Sequence, residues 1–198
     1  LTPVLAAEGA EFTVVKGWER MDYKKPTPDF CPALGFDFDE VFELIETEVK
    51  NVATNVGLCE VNGFNRIEIA GADRHDFLDR MICGQVTRRD GRVGLGYLLN
   101  HHGMVKCEAT LANLPASDRG PRRVWYGSAA ASEYHDMDWL RAHLLPGENV
   151  ELRSLTNDQT ILVLAGPKSR DVLSACARGD WSREAFPWLS ARECFVGI

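Results

Sequence analysis

The residues best suited to chemistry lie within 93–114, around a single carboxylate. Alternating apolar and polar residues flank Asn100-His101-His102-Gly103, which has the composition of a short hairpin loop. The alternation predicts Glu108 on the second strand, opposite its apolar row and beside Lys106 and Thr110. Glu108 is either an exposed strand residue near Lys106 or a pocket carboxylate fitted to proton transfer or to pairing with a cationic intermediate. The apolar rows are Val93, Leu95, Tyr97 and Leu99, then Val105, Cys107, Ala109 and Leu111.

Other residues that could carry chemistry form incomplete patterns. His101, His102 and Cys107 have no fourth ligand nearby in the sequence, and adjacent histidines point to opposite sides of an extended backbone, so we expect no metal site. His75 or His135 could act as a base, but the chain has no Gly-x-Ser-x-Gly turn to supply a serine nucleophile.

Three glycines, Gly91, Gly94 and Gly96, superficially suggest a phosphate loop. A dinucleotide fingerprint needs its glycines in a turn between a strand and a helix, whereas these fall within a strand pattern. We expect them instead to permit a close approach of the backbone.

Composition restricts the class of protein. With 198 residues, 45% hydrophobic and 26% charged, the chain is long enough for a core, and its net charge of -7 argues against nucleic acid or an anionic membrane as the main partner. No apolar stretch approaches the roughly 18 residues of a membrane span, and the first residues do not resemble a signal peptide. We therefore expect a cytoplasmic protein with six reduced cysteines, and part of a longer polypeptide.

The elements that must position Glu108 follow an α+β order. Strands and helices between residues 58 and 165 alternate as βαββαβ, the ferredoxin-like order, which predicts antiparallel sheets with helices packed on one face. Helices are predicted from Asp39, Ala72, Ser128 or Ser132, and Gly166. The strands include 58–61, a pair at 150–155 and 160–165 joined by a turn, and a last one from Glu193, whereas 21–36 is expected to be extended and irregular.

Several stretches, taken in order, resemble the folate-binding module of the glycine cleavage system T-protein (aminomethyltransferase), in the branch fused to FAD-dependent dimethylglycine and sarcosine dehydrogenases. The Gly-Trp-Glu-Arg and Ala-Phe-Pro-Trp-Leu-Ser-Ala-Arg-Glu stretches favour this branch over the stand-alone T-protein. The stretches are 17–20, 48–61, 71–80, the central hairpin, 135–140, 164–170 and 185–193.

The resemblance implies a T-protein-like folate-binding fold, incomplete in this chain, whose subdomains surround a channel for tetrahydrofolate. Residues 1–60 and 150–198 would form one subdomain, and 61–149 a second that carries the hairpin. The implied reaction takes a methylene group from an N-methylated amine or amino acid, as an iminium or carrier-bound aminomethyl group, to give 5,10-methylenetetrahydrofolate. FAD is expected on a separate domain of the same full-length polypeptide.

The resemblance also implies roles for individual residues. The family's Asp near the reactive folate nitrogens falls on Glu108, which keeps the carboxylate, and a neighbouring Asp of some members falls on Cys107. A Tyr that packs on the folate ring in several members falls on Leu95, two residues before Tyr97. Glu108 is therefore the predicted catalytic residue, and the predicted folate contacts are Leu95, Tyr97, Tyr126 and Gly127.

Other functions fit the same resemblance. One is a folate-dependent aminomethyltransferase or demethylase without flavin, and another is a non-enzymatic folate-binding factor in iron–sulfur assembly. A third, an inert structural domain, predicts no folate binding. A glycine-rich FAD fingerprint upstream would favour the dehydrogenase, and a Lys-Gly-Cys motif downstream would favour the assembly factor.

Overall fold

The structure, a computed structural model, describes residues 2–15, 17–33, 36 and 39–197. Their backbone forms two compact units, the first from the described residues of 1–62 and 161–173 and the second from those of 63–160 and 174–198. Each unit is described by itself below. The division into subdomains at residues 60 and 150 stays a prediction.

The first unit contains two antiparallel strand pairs and the predicted helix that begins at Asp39. Gly166 has a φ of +114°, and a Cβ there would lie 2.6 Å from the carbonyl oxygens of Asn55 and Val52, so this turn requires glycine. The elements are α1 (Thr2–Ala7), β1 (Ala10–Val15), β2 (Trp18–Lys24), α2 (Asp39–Thr54), β3 (Gly57–Glu60), β10 (Leu162–Ala165) and the start of α5 (Ser169–Cys176).

The second unit is built on a six-stranded antiparallel sheet in the order β5-β6-β7-β8-β4-β9. Strands β7, β8, β4 and β9 with two helices reproduce the ferredoxin-like order, which confirms the predicted fold class, while β5 and β6 extend the β7 edge. The elements are β4 (Ile67–Ala70), α3 (Arg74–Met81), β5 (Ile82–Cys83), β6 (Val93–Leu99), β7 (Val105–Leu114), β8 (Arg123–Gly127), α4 (Glu133–Ala142) and β9 (Glu151–Ser154).

The core of the second unit lies between one face of this sheet and the two helices. Phe77 and Leu78 of α3 and Leu140 of α4 are fully buried against it. Burial of these apolar side chains is the main contribution to the stability of this unit. The opposite face of the sheet is not covered by the two helices. The sheet residues of this core are Ile67, Ile69, Ile82, Leu98, Ala109, Leu111, Val124 and Tyr126.

Several predicted strands pair differently in the structure. Strands 57–60 and 162–165 pair with each other in the first unit, so they are not the outer strands of the ferredoxin-like sheet. Strand β9 pairs with β4, and it therefore makes no hairpin with β10. The segment from Glu193 contributes only a bridge between Val196 and Ala177 rather than the predicted strand.

Two further expectations concern segments outside the core. The stretch 21–36 is not wholly irregular, because β2 continues to Lys24, and residues 34, 35, 37 and 38 lie outside the described residues. Among the helices that the structure describes, none has the length and apolar character needed to cross a membrane.

Candidate functional site

The hairpin turn between β6 and β7 forms as its sequence predicts. The Asn100 side-chain oxygen accepts hydrogen bonds from the backbone N–H groups of His102 (2.9 Å) and Met104 (3.0 Å). Gly103 takes a φ of +76°. The Asn side chain thus folds back on its own turn, as expected of an Asn-initiated loop.

A β-bulge follows the turn and changes the direction of one side chain. Leu98 pairs with Cys107 and Leu99 with Val105, so Lys106 has no partner in the ladder. The Lys106 ammonium lies 2.8 Å from His135 Nε2 and 4.3 Å from the centre of the Trp139 ring. The prediction that Lys106 lies beside Glu108 is therefore wrong, because a bulge redirects the side chain of its extra residue.

Beyond the bulge, Glu108 lies on the sheet face opposite the core, as the alternation on β7 predicts. It is exposed, and its partner across the ladder is Tyr97 of β6. The next row of the same face joins Leu95, Thr110 and Gly127. The structure therefore brings together the predicted site residues Glu108, Leu95, Tyr97 and Gly127 on one face.

The side chains that β6 buries do not belong to the row that the alternation identified as apolar. Leu98 is fully buried and Gly96 is buried with it, whereas Leu95 and Tyr97 are 57% and 41% exposed. A Cβ on Gly96 would lie 2.3 Å from Ile82 Cγ2, so this glycine permits the close packing of β5. The expectation of close approach is confirmed at Gly96.

Tyr97 and Glu108 are partners across the β6–β7 ladder. Interaction with the Glu108 carboxylate raises the pKa of Tyr97 above its ordinary value of 10.0, because a nearby negative charge favours the protonated phenol. The two side chains therefore interact across the strands.

We expect Glu108→Gln to lower the pKa of Tyr97 back towards 10.0, because the neighbouring negative charge is removed. Since the pKa is raised in the folded state, the interaction with Glu108 stabilises the fold below pH 10.0 and this contribution is lost as the pH rises through the raised pKa. The measurement is a phenolate absorbance titration, with Tyr97→Phe subtracted to isolate Tyr97. Tyr134, which is 86% exposed, provides the control titration, and an unchanged Tyr97 titration in Glu108→Gln would contradict the interaction between the two side chains.

The structure adds residues to this face that the sequence analysis missed. A Cβ on Gly127 would lie 2.6 Å from the Trp125 ring, so the indole lies over this glycine. Cys83 of β5 pairs with Tyr97 and has an exposed thiol. Strand alternation could have placed Trp125 beside Gly127, as it placed Thr110 beside Glu108, but the position of Cys83 depends on long-range register.

Tyr126 lies on the opposite face, within the core. It is fully buried, and its hydroxyl donates to Asp136 Oδ2 at 3.1 Å and lies 3.1 Å from Cys107 Sγ. Burial raises the pKa of Tyr126, with the Asp136 carboxylate as the next cause, and burial raises the pKa of the Cys107 thiol to about 11. The structure thus separates the Tyr126 side chain from the other four predicted site residues.

The histidines singled out in the sequence lie in different surroundings. His101 stacks against Trp139 and His143, with ring centres 5.2 and 5.6 Å apart. His75 is buried on α3, which lowers its pKa. In the described part of the chain, no group of three or more His, Cys, Asp or Glu residues is arranged to hold a metal ion.

Known proteins are similar to this chain over most of its length. A family model described as the GCVT N-terminal domain matches residues 1–198. Sarcosine oxidase subunit alpha from Rhizobium meliloti (strain 1021) is 32% identical over 155 residues, which cover 76% of this chain and 15% of that protein. Mitochondrial dimethylglycine dehydrogenase from Rattus norvegicus is 29% identical over 178 residues, which cover 89% of this chain and 20% of that protein.

A solved structure shares the fold. The crystal structure of glycine cleavage system aminomethyltransferase T from Bartonella henselae matches with a TM-score of 0.68 over 87% of this chain and 41% of that chain. The sequence identity is 20%, so this likeness concerns the fold alone. The chain thus corresponds to only part of each of these proteins.

Proposed function

The chain belongs to the GCVT N-terminal domain family, as its resemblance to the T-protein predicted, and from this premise we propose that it is a tetrahydrofolate-binding module for one-carbon transfer. The module accepts a methylene group from an N-methylated amine or amino acid and yields 5,10-methylenetetrahydrofolate. The observation that carries the proposal is the position of Glu108 beside Tyr97 on the open face of the sheet, which is the face opposite the core.

The open face has the character needed to bind a flat, partly apolar ring. Leu95 and Tyr97 are 57% and 41% exposed although both are large apolar side chains. Trp125 lies in the same face over Gly127 and donates its indole N–H to Gln159 Oε1 at 3.3 Å. Covering these side chains with an aromatic ligand would remove apolar surface from water, which favours binding. Leu95, Tyr97 and Gly127 are the folate contacts in this proposal, and Tyr126 supports the strand from the core side.

Glu108 supplies the proton chemistry of the proposed reaction. When bound, tetrahydrofolate would supply the two nucleophilic nitrogens that together replace the amine on the methylene carbon. Glu108 would accept the N–H proton released when the first C–N bond forms and give it to the amine nitrogen, which then leaves as the neutral amine when its bond to the carbon breaks. The second nitrogen takes its place on the carbon, and its N–H proton passes to solvent. Tyr97, which faces Glu108 across the ladder, orients the carboxylate in this proposal, so less orientation is needed when the reactants meet.

We propose that the methylene donor comes from an FAD-dependent oxidation of an N-methylated substrate on another domain of the full-length polypeptide. The similarity to a dimethylglycine dehydrogenase and to a sarcosine oxidase subunit supports this source. Both relatives are much longer than this chain, which leaves room in them for a separate oxidising domain.

The proposed function is tested with the complete natural polypeptide that contains this chain. Calorimetric titration should detect binding of 5-formyltetrahydrofolate, a reduced folate that does not react, and incubation with dimethylglycine or sarcosine and tetrahydrofolate should produce 5,10-methylenetetrahydrofolate. Folate binding with transfer only from an aminomethylated carrier would instead favour the flavin-free aminomethyltransferase. A protein that neither binds the reduced folate nor forms the product contradicts the proposal.

A further inference from the structure

A fully buried carboxylate, Asp136 on α4, lies behind the strand that carries Glu108. Its Oδ2 accepts hydrogen bonds from the Tyr126 hydroxyl at 3.1 Å, from the Ser128 hydroxyl and from Asn65 Nδ2 at 3.4 Å. Removing a charge from water is costly, and these donors offset that cost. Neither the proposed proton transfer nor the proposed folate contacts use Asp136.

One chain of contacts connects Asp136 to Cys107. The Tyr126 hydroxyl has a single proton and donates it to Asp136, so the Cys107 S–H group at 3.1 Å donates to the Tyr126 oxygen. The pKa of the Cys107 thiol, raised to about 11 by burial, keeps it a donor at neutral pH. Cys107 immediately precedes Glu108 on β7.

A second chain connects Asp136 to Lys106. The Lys106 ammonium can only donate, so His135 Nε2 at 2.8 Å must accept, and a neutral His135 carries its proton on Nδ1. His135 Nδ1 lies 3.5 Å from Asp136 Oδ1, which has no hydrogen-bond partner among the described residues. The His135 ring therefore lies close to, without hydrogen-bonding, the one carboxylate oxygen that the first chain of contacts does not use.

Both chains of contacts end at the bulge in β7. The position of this bulge determines which face of the sheet Glu108 occupies. Lys106 is the residue without a ladder partner, and Cys107 is the first paired residue after it. Moving the extra residue by one position would turn Glu108 into the core, since successive side chains of a strand alternate between faces. We propose that Asp136 is a positioning residue that holds this bulge in place, through Tyr126 and Cys107 and through His135 and Lys106, and thereby orients Glu108. The inference rests on the proposed function only where it concerns turnover.

The two chains of contacts that start at Asp136 can be disrupted separately with small substitutions. Asp136→Asn keeps an oxygen for Tyr126 and Ser128 but places an NH₂ group next to the His135 N–H, so two donors face each other. Tyr126→Phe removes the other chain while keeping the ring in the core. Asp138→Asn makes the same chemical change at an exposed position of α4 and is the matched control.

The first measurement does not depend on the proposed function. Amide hydrogen exchange of the segment 105–109 in the complete polypeptide should become about fivefold faster in Asp136→Asn and in Tyr126→Phe, as expected for the loss of one buried hydrogen bond. Exchange in Asp138→Asn and in the first-unit strand 162–165 should stay unchanged. Unchanged exchange at 105–109 in both variants would overturn the proposal, and if one variant fails to fold the other decides.

The second measurement separates positioning from general stability. Asp136→Asn should lower kcat for methylene transfer about tenfold through misplacement of the carboxylate, while KM for tetrahydrofolate changes by less than about twofold. In the Glu108→Gln background the same substitution should have no further effect on the residual rate. An equal loss in both backgrounds would show that Asp136 does not act through Glu108. Absence of any methylene transfer in the parent protein would refute the proposed function, and the exchange measurement would still decide the role of Asp136 at the bulge.

Discussion

Replacing Glu108 by Gln is expected to lower the rate of methylene transfer to tetrahydrofolate by about 100-fold or more, the usual range for loss of a positioned acid–base group. The amide keeps the shape of the side chain but cannot accept the proton released when the new C–N bond forms. Oxidation of the N-methylated substrate on a separate domain should be largely unaffected, so its methylene product would be released instead of transferred. The measurement is the yield of 5,10-methylenetetrahydrofolate per molecule of substrate oxidised in the complete polypeptide.

A second glutamate on a strand of the same sheet provides the matched control. Glu151 is an exposed Glu on β9, the opposite edge strand of the same sheet, and Glu151→Gln should leave the yield unchanged. Binding of 5-formyltetrahydrofolate should persist in Glu108→Gln, because the apolar contacts with Leu95 and Tyr97 remain. A normal yield in Glu108→Gln would remove the residue from the proposed mechanism.

The alternation that places Glu108 on the face opposite Ala109 and Leu111 was predictable because it depends on neighbouring residues, whereas the bulge that sets its register was not. The Asn100 turn closes through its own side chain, and polar and apolar residues on β7 alternate clearly, with Ala109 and Leu111 buried and Glu108 exposed. The order of helices and strands likewise follows from periodicity along the chain. These features require no knowledge of which distant strands pair.

The features that could not be predicted depend on contacts between distant segments. Neither row of β6 is polar, since Leu95 and Tyr97 alternate with Gly96 and Leu98, and the packing of Ile82 onto Gly96 selects the buried row. Both rows of β8 are likewise largely apolar, so the pattern did not place Tyr126 in the core. The bulge at Lys106 was equally hidden, because its side chain is accommodated by residues of α4, about thirty positions further along the chain.

Tyr126 lies on the core side of the sheet, away from the open face that carries Glu108. A buried tyrosine whose hydroxyl connects Asp136 and Cys107 cannot also place its ring on the opposite face of the sheet. The residue that the resemblance assigned to the ligand instead contacts, in the structure, the side chain of Cys107, which precedes Glu108 on β7.

Two leucine substitutions on β6 test which face of the sheet packs on the core and which does not. One of them has the largest effect on stability that we expect from any of the proposed substitutions. Leu98 is fully buried, and Leu98→Ala should lower the free energy of unfolding by about 2–5 kcal/mol, because it removes apolar contacts and leaves a cavity. Leu95, three positions earlier on the same strand, is 57% exposed, so Leu95→Ala should change stability by less than about 0.5 kcal/mol. Chemical denaturation monitored by tryptophan fluorescence provides the comparison.

The same pair should give the reverse order in ligand binding. Leu95→Ala should weaken the binding of 5-formyltetrahydrofolate by about tenfold, since about one to two kcal/mol of apolar burial against the ring is lost. Leu98→Ala, measured under conditions where it remains folded, should bind the same ligand with near-normal affinity. If both substitutions destabilise equally, the face assignment fails. If neither alters binding, the open face is not where the folate ring lies, because a ring seated there must contact Leu95.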